Sequence, residues 1–223
     1  MARLRARGVS IVELLVGIAV GLVVVAAAGS LVASHSVASR RVQIEARLMQ
    51  DLRTTAELVA RDLRRAGHWS AAASAVRKAD EPVPANPHAA IAPAAVTASA
   101  VALSFSTTEN DAAAVDDADR FGFRLRGGAV ELQLGLRNWQ ALSDPGTLIV
   151  TAFSVEPRVD ETALDAFCER PCAAGSATCP PRQQVRSFAI TIAGRSTVDP
   201  RVQRSLHSSV RVRNDIVVGS CEA

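Results

Sequence analysis

From Leu14 to Ser39 the chain contains no Asp, Glu, Lys or Arg, and an uncharged apolar stretch of that length has few ways to fold. As a helix rising ~1.5 Å per residue it outreaches the ~30 Å hydrocarbon core of a bilayer. Arg3, Arg5 and Arg7 precede it and would hold the amino end in the cytoplasm, because short flanks rich in Arg and Lys stay inside. One carboxylate, Glu13, lies at the start of the apolar run, five positions after Gly8. An acidic side chain in a spanning helix costs ~2.5–3.5 kcal/mol by insertion scales, so it normally has a partner or a task. Two plainer readings compete. A secretory signal cut after Ala26-Ala27-Ala28 would need an apolar region of ~7–15 residues and no charge near Glu13. A simple signal anchor would leave Glu13 incidental.

The order Arg7-Gly8-Val9-Ser10-Ile11-Val12-Glu13 resembles the class III signal of type IV pilin-like proteins. The resemblance implies that a prepilin peptidase cuts between Gly8 and Val9 and that Val9 is then N-methylated. It also implies that Glu13 docks the subunit during assembly, with the freed amine of a neighbour's Val9 as a suitable cation. Val9 stands where the family usually has Phe. Gly17 and Gly21 form a small-xxx-small pair that lets helix backbones approach closely. They are equally readable as incidental in a span rich in small residues.

Beyond Ser39 the helix continues with a different pattern. Ile44, Leu48, Leu52, Thr55, Val59, Leu63 and Ala66 recur at three- and four-residue spacings and share one face. Arg47, Asp51, Arg53, Glu57, Arg61 and Arg64 fall largely elsewhere. Arg64 and Arg65 suit the last turn, and Gly67 is a natural stop. The expected division is a leader over 1–8, a transmembrane half-helix over 9–39 and an amphipathic half over 40–67. An irregular linker follows over 68–100, then a sheet domain with a cysteine-containing C-terminal region over 101–223. The linker, with Pro82, Pro84, Pro87 and Pro93, is read as a surface connection rather than a proline recognition motif.

After Ala100 the period shortens to two. Val101-Ala-Leu103-Ser-Phe105 alternates, as do Phe121, Phe123 and Leu125, and then Val130, Leu132, Leu134 and Leu136. Gly127-Gly128 between the last two runs makes a hairpin turn. Leu148-Ile149-Val150, Phe188-Ile190-Ile192 and Val210–Arg213 add strands. The fold class is therefore α+β, a long N-terminal helix packed on an antiparallel sheet in the manner of a pilin.

Glu109, Asp111, Asp116, Asp117 and Asp119 make an acidic loop whose spacing matches no EF-hand, so solvation is preferred to calcium. Cys168, Cys172, Cys179 and Cys221 are even in number and extracytoplasmic by the leader, which suggests disulfides. A zinc site is the alternative, although the spacings lack the paired C-x2-C knuckles of common structural sites. Of the three possible pairings, the one preferred joins Cys172 to Cys179 and Cys168 to Cys221; the other two stay open. The formal charge of +3 is carried by the leader arginines, so no nucleic-acid surface is indicated. The chain has no G-x-S-x-G, no H-E-x-x-H and no phosphate-binding glycine loop. His35, His68, His88 and His207 are scattered. No enzyme, cofactor or metal is expected.

Three motifs narrow the resemblance. Arg7–Gly17, Leu58-Val-Ala-Arg-Asp-Leu-Arg-Arg-Ala-Gly67 and Ser209-Val-Arg-Val-Arg-Asn214 look like the start, the helix end and the terminal strand of the PilW family of minor pilins. The family implies a subunit held in the inner membrane, with its N-terminus cytoplasmic and its C-terminal domain periplasmic. It then joins other minor pilins in a tip complex that primes assembly of the major pilin. The implied partners are those pilins, the prepilin peptidase, the inner-membrane assembly machinery and, before assembly, membrane lipid. A J-type pseudopilin of a type II secretion system and a single-pass anchored binding module are the alternatives.

Overall fold

The computed structural model describes residues 8–75, 84–107 and 114–222. The leader arginines, Pro82, Glu109 and Asp111 lie outside the described residues. Helix α1 runs from Ile11 to Arg65, and the chain divides into two units, Met1–Ile44 and Glu45–Ala223.

In the first unit the large apolar side chains from Val9 to Val32 are all more than half exposed. Taking a Val, Leu or Ile side chain out of water is worth ~1.5–3 kcal/mol, so this surface needs lipid or neighbouring helices to cover it. By length and composition the helix could cross a membrane.

In the second unit the same helix buries one stripe. Leu48, Leu52, Thr55, Val59 and Leu63 are at most 3% exposed, and Ala56 and Ala60 widen the stripe. The Thr55 hydroxyl donates to Asp51 O at 2.8 Å, so an apolar face accommodates it. Asp62 is also buried, with Arg61 Nε 3.1 Å away as its cation. Gly67 ends the helix in the left-handed region, φ +75°, where a side chain would be strained.

The sheet portion is two sheets rather than the single one expected. The first is a meander of β1 (Ala100–Ser104), β2 (Arg120–Arg126), β3 (Ala129–Leu134) and β4 (Trp139–Ala141), paired in that order. Gly127 and Gly128, at φ +60° and +78°, make the β2–β3 turn with the twist that hairpins favour. The second sheet contains β5 (Leu148–Ala163), β6 (Arg182–Ser196) and β7 (Gln203–Arg211), and β8 (Ile216–Val218) pairs with β6. Leu136 lies beyond β3, and the expected last strand from Val210 to Arg213 is instead the end of β7 followed by a bend into β8.

The expected three-residue strand at Leu148 is sixteen residues long. A bulge between Val150 and Ala152 explains the difference. The extra residue shifts the buried positions from Leu148 and Val150 to Phe153 and Val155, which breaks the period-two pattern. Past Val155 the β5–β6 ladder continues through Ala163↔Arg182 as a hairpin with mostly exposed, polar β5 residues.

The helix meets β6 at Gly194, where an added Cβ would meet Leu148 Cδ1 and lie 3.5 Å from Leu52 Cδ2. Glu45 pairs with Arg204 of β7 at 2.8 Å. The segment read as a surface linker holds one short 3-10 helix, Ala72–Ala75, and part of it enters the core. His88 and Ile91 are buried. Ala92 pairs with Ala102 and Ala98 with Val155, so this strap laces the outer strand of each sheet. Short apolar residues among prolines carry no periodic signature of burial, which is why the sequence pattern missed it.

Candidate functional site

Two groups of residues hold the features that sequence reasoning singled out, and they lie in separate units of the chain. The first surrounds Gly8. The segment Gly8–Ser10 is exposed and outside any helix or strand. Helical bonding starts with Leu14 N–H donating to Ser10 O at 3.0 Å, so the Gly8–Val9 bond precedes the helix and joins two exposed residues. Glu13 falls in the first helical turn. The unsatisfied N–H groups there carry partial positive charge, which offsets part of the cost of a carboxylate at that position. A Cβ at Gly17 or Gly21 would meet nothing within 4 Å. Four residues apart, the two glycines form a smooth open strip on the helix.

The second group lies where the helix ends. The residues from Leu58 to Gly67 and from Ser209 to Asn214, far apart in sequence, meet here. Each carbonyl from Asp62 to Gly67 finds a donor. Ala66 N–H bonds to Asp62 O and Leu63 O, Arg213 N–H to Arg64 O at 3.1 Å, and His68 N–H to Arg65 O. Asn214 Nδ2 donates to Ala66 O at 2.9 Å and to Arg65 O at 3.4 Å. Asn86 Nδ2 donates to Gly67 O at 2.8 Å. The last carbonyls of a helix must be satisfied when buried, and the C-terminal segment and the strap do this together. Arg65 extends over the Phe105 ring at 4.1 Å, and Phe105 stacks on Phe121 with centroids 4.0 Å apart.

Arg186 belongs to this junction and was not anticipated. It sits on β6 in phase with Phe188, Ile190 and Ile192 and is 8% exposed. Its guanidinium donates to Ala89 O and, at 3.0 Å, to Asn214 O. Burial lowers its pKa from the ordinary value, and the nearby Asp215 carboxylate opposes that shift. The signal was an arginine on the apolar phase of an alternating strand, a position that needs acceptors waiting for it.

The cysteines form two bonds, Cys168–Cys221 and Cys172–Cys179, and no described cysteine is free. Both lie in or next to the loop between β5 and β6, and the first closes a span of 53 residues to tie down the tail after β8. Ser220 N–H to Thr178 O at 2.9 Å and Ala173 N–H to Glu222 Oε1 at 2.8 Å hold the same tail. In the acidic loop, Asp119 has a different role from a free ligand. Burial raises its pKa, but the hydroxyl and N–H of Thr107 and the N–H of Asp116 outweigh this and hold it below the ordinary value.

Residues 41–212 match the family model described as PpdB, prepilin peptidase-dependent protein B. No curated protein and no solved structure matches the chain. The matched span covers well over half of the sequence and begins after the apolar run, so it does not rest on the leader. The chain belongs to the prepilin peptidase-dependent protein B family, a type IV pilus-related group, and is a minor-pilin-like protein.

Proposed function

We propose that this member of the prepilin peptidase-dependent protein B family is a minor type IV pilin of the PilW kind, a structural subunit rather than an enzyme. It inserts by the first half of α1 with its amino end in the cytoplasm. The prepilin peptidase cuts between Gly8 and Val9, and the new amine is methylated. Glu13 then pairs with the amine of a neighbouring subunit as the protein joins other minor pilins in a complex that primes the filament.

The observation that carries this reading is the exposed apolar helix with one carboxylate in its first turn, joined to an α+β unit that matches a prepilin peptidase-dependent family. A helix that only anchored the domain would gain from replacing Glu13, since the carboxylate costs ~2.5–3.5 kcal/mol in the span. A subunit that docks through it would lose by the same change.

The test is Glu13→Leu in cells that assemble pili. Cleavage after Gly8, read by amino-terminal sequencing, and membrane insertion should persist, while co-purification of partner minor pilins and surface filament counts should fall. Normal recovery of partners and filaments would leave a membrane-anchored domain and end the pilin reading. A mature amino terminus near Ala28 would restore the secretory one.

A further inference from the structure

The sulfurs of Cys168, Cys172 and Cys179 all lie within 4.8 Å of one another. The sulfur of Cys221 is bonded to that of Cys168 at 2.06 Å. Two disulfides that tied down a loop and a tail would not need to lie close; here three sulfurs share one spot and the fourth is bonded to one of them. A tetrahedral zinc site with Zn–S bonds of ~2.3 Å separates its sulfurs by about 3.8 Å. The Cys168 sulfur thus lies within about 1 Å of that spacing from Cys172 and Cys179, and the bonded sulfurs need to part.

We propose that before its disulfides form, this chain binds one zinc ion through Cys168, Cys172, Cys179 and Cys221. The cluster contains sulfur alone, with no carboxylate or imidazole in the group, and an all-thiolate set selects a soft ion such as zinc over calcium or magnesium. The three-residue gap between Cys168 and Cys172 is within the range that structural zinc sites use.

Backbone hydrogen bonds hold the cysteine-bearing segments beside the bridges. Cys168 N–H bonds to Asp165 O at 3.0 Å, Leu164 N–H to Pro181 O and Ser220 N–H to Thr178 O. Only Cys179 is buried, and Cys168, Cys172 and Cys221 are half-buried, which leaves an ion a way in. Binding converts four thiols and a zinc ion to a tetrathiolate complex and releases four protons. Later the cysteine thiolates attack the disulfides of two oxidant molecules, and a second thiolate resolves each mixed disulfide, which forms the two bridges, expels the ion and leaves four oxidant thiolates. Until then the metal would keep the tail docked beside β8.

The test uses the full chain in detergent, reduced without oxygen by a phosphine and titrated with cobalt as a spectroscopic probe. One equivalent should bring up thiolate-to-cobalt charge transfer and the visible bands of a tetrahedral ion, and zinc should then displace it. Cys221→Ser should lose one thiolate's share of the charge-transfer intensity and bind roughly tenfold more weakly or worse. If the reduced chain unfolds, zinc should restore its circular dichroism, because a metal that binds only the folded form stabilises it. The proposal is overturned if a folded reduced chain gives no cobalt bands or if zinc does not restore an unfolded one. Uptake unchanged in Cys221→Ser, or stoichiometric zinc on the fully oxidised chain, overturns it equally.

Discussion

Asn214 gives a prediction whose sign and size follow from its contacts. Its amide donates to Ala66 O at 2.9 Å and more weakly to Arg65 O, while its own carbonyl accepts from Arg186. Asn214→Ala removes the side-chain donor and leaves the backbone contact in place. Ala66 is fully buried, so its carbonyl has no water to turn to. An intramolecular hydrogen bond is worth ~0.5–1.5 kcal/mol net, and a buried acceptor left without a partner costs ~1–3 kcal/mol. The loss expected is about 1–3 kcal/mol. In a unit of this size each kcal/mol shifts the melting temperature by ~2–4 °C. Asn214→Asp should be worse at neutral pH, because its carboxylate would face carbonyl oxygens at the negative end of the helix dipole. Urea unfolding followed by the fluorescence of Trp69, which is itself buried, should show the midpoint fall in the order native, Ala, Asp with an unchanged slope. An alanine variant as stable as the native chain, or an aspartate no worse than alanine, would refute the capping role.

Four further outcomes are expected. Gly194→Ala should destabilise by ~1–3 kcal/mol, because the added methyl runs into Leu148 and crowds Leu52 in a core with no room for it; calorimetry reads the loss. Gly67→Ala should cost about 1 kcal/mol or more, since φ is +75° and Arg186 Nη2 lies 3.2 Å from the new carbon. Loop-closure entropy gives ~4 kcal/mol for the 53-residue bridge and ~2.4 kcal/mol for the 7-residue one, so Cys168→Ser with Cys221→Ser should unfold at lower urea than Cys172→Ser with Cys179→Ser. Asp119 titrates lower in the folded chain than unfolded, so its contribution is present above the ordinary carboxyl range near ~3.9 and fades as pH falls below it. Thr107→Val removes the 2.8 Å hydroxyl donor, and unfolding measured from pH 7 to pH 2 should show lower stability at neutral pH and a flatter acid limb.

What was legible in the sequence depended on whether a residue's neighbours were near it in the chain. The stripe from Leu48 to Leu63 and the Gly127-Gly128 hairpin are set by helical period and turn chemistry, and both appear in the structure. Strand β5 was cut short because its bulge broke the alternation at Thr151. Strands β4 and β8 went unread because three residues do not establish a period. The strap was misread because His88 and Ile91 are buried by tertiary contact alone. The Asn214 cap lies further out of reach, since its partners are 148 and 149 residues away.

These long-range contacts also explain how the second unit holds its C-terminal end. The tail leaves β7 at Arg211, caps the helix with Arg213 and Asn214, pairs with β6 as β8, and is locked by Cys221 to the loop at the far end of the β5–β6 hairpin. Asp215 accepts from both Arg211 and Gln183 between the cap and β8. The family match stops at residue 212, one residue before the first capping contact. The matched region, up to Val212, thus supplies the second part of the helix, strands β1 to β7 and Arg186, while the residues that finish the helix end lie beyond it. A tail fixed at both ends of β8 loses little further entropy on forming each contact between them. Loosening the disulfide end should therefore weaken the helix cap, and a double-mutant cycle between Cys221→Ser and Asn214→Ala should show a coupling well outside the ~0.3–0.5 kcal/mol scatter of independent sites. Simple additivity would mean that cap and bridge act separately, and that the β8 pairing alone sets the position of Asn214.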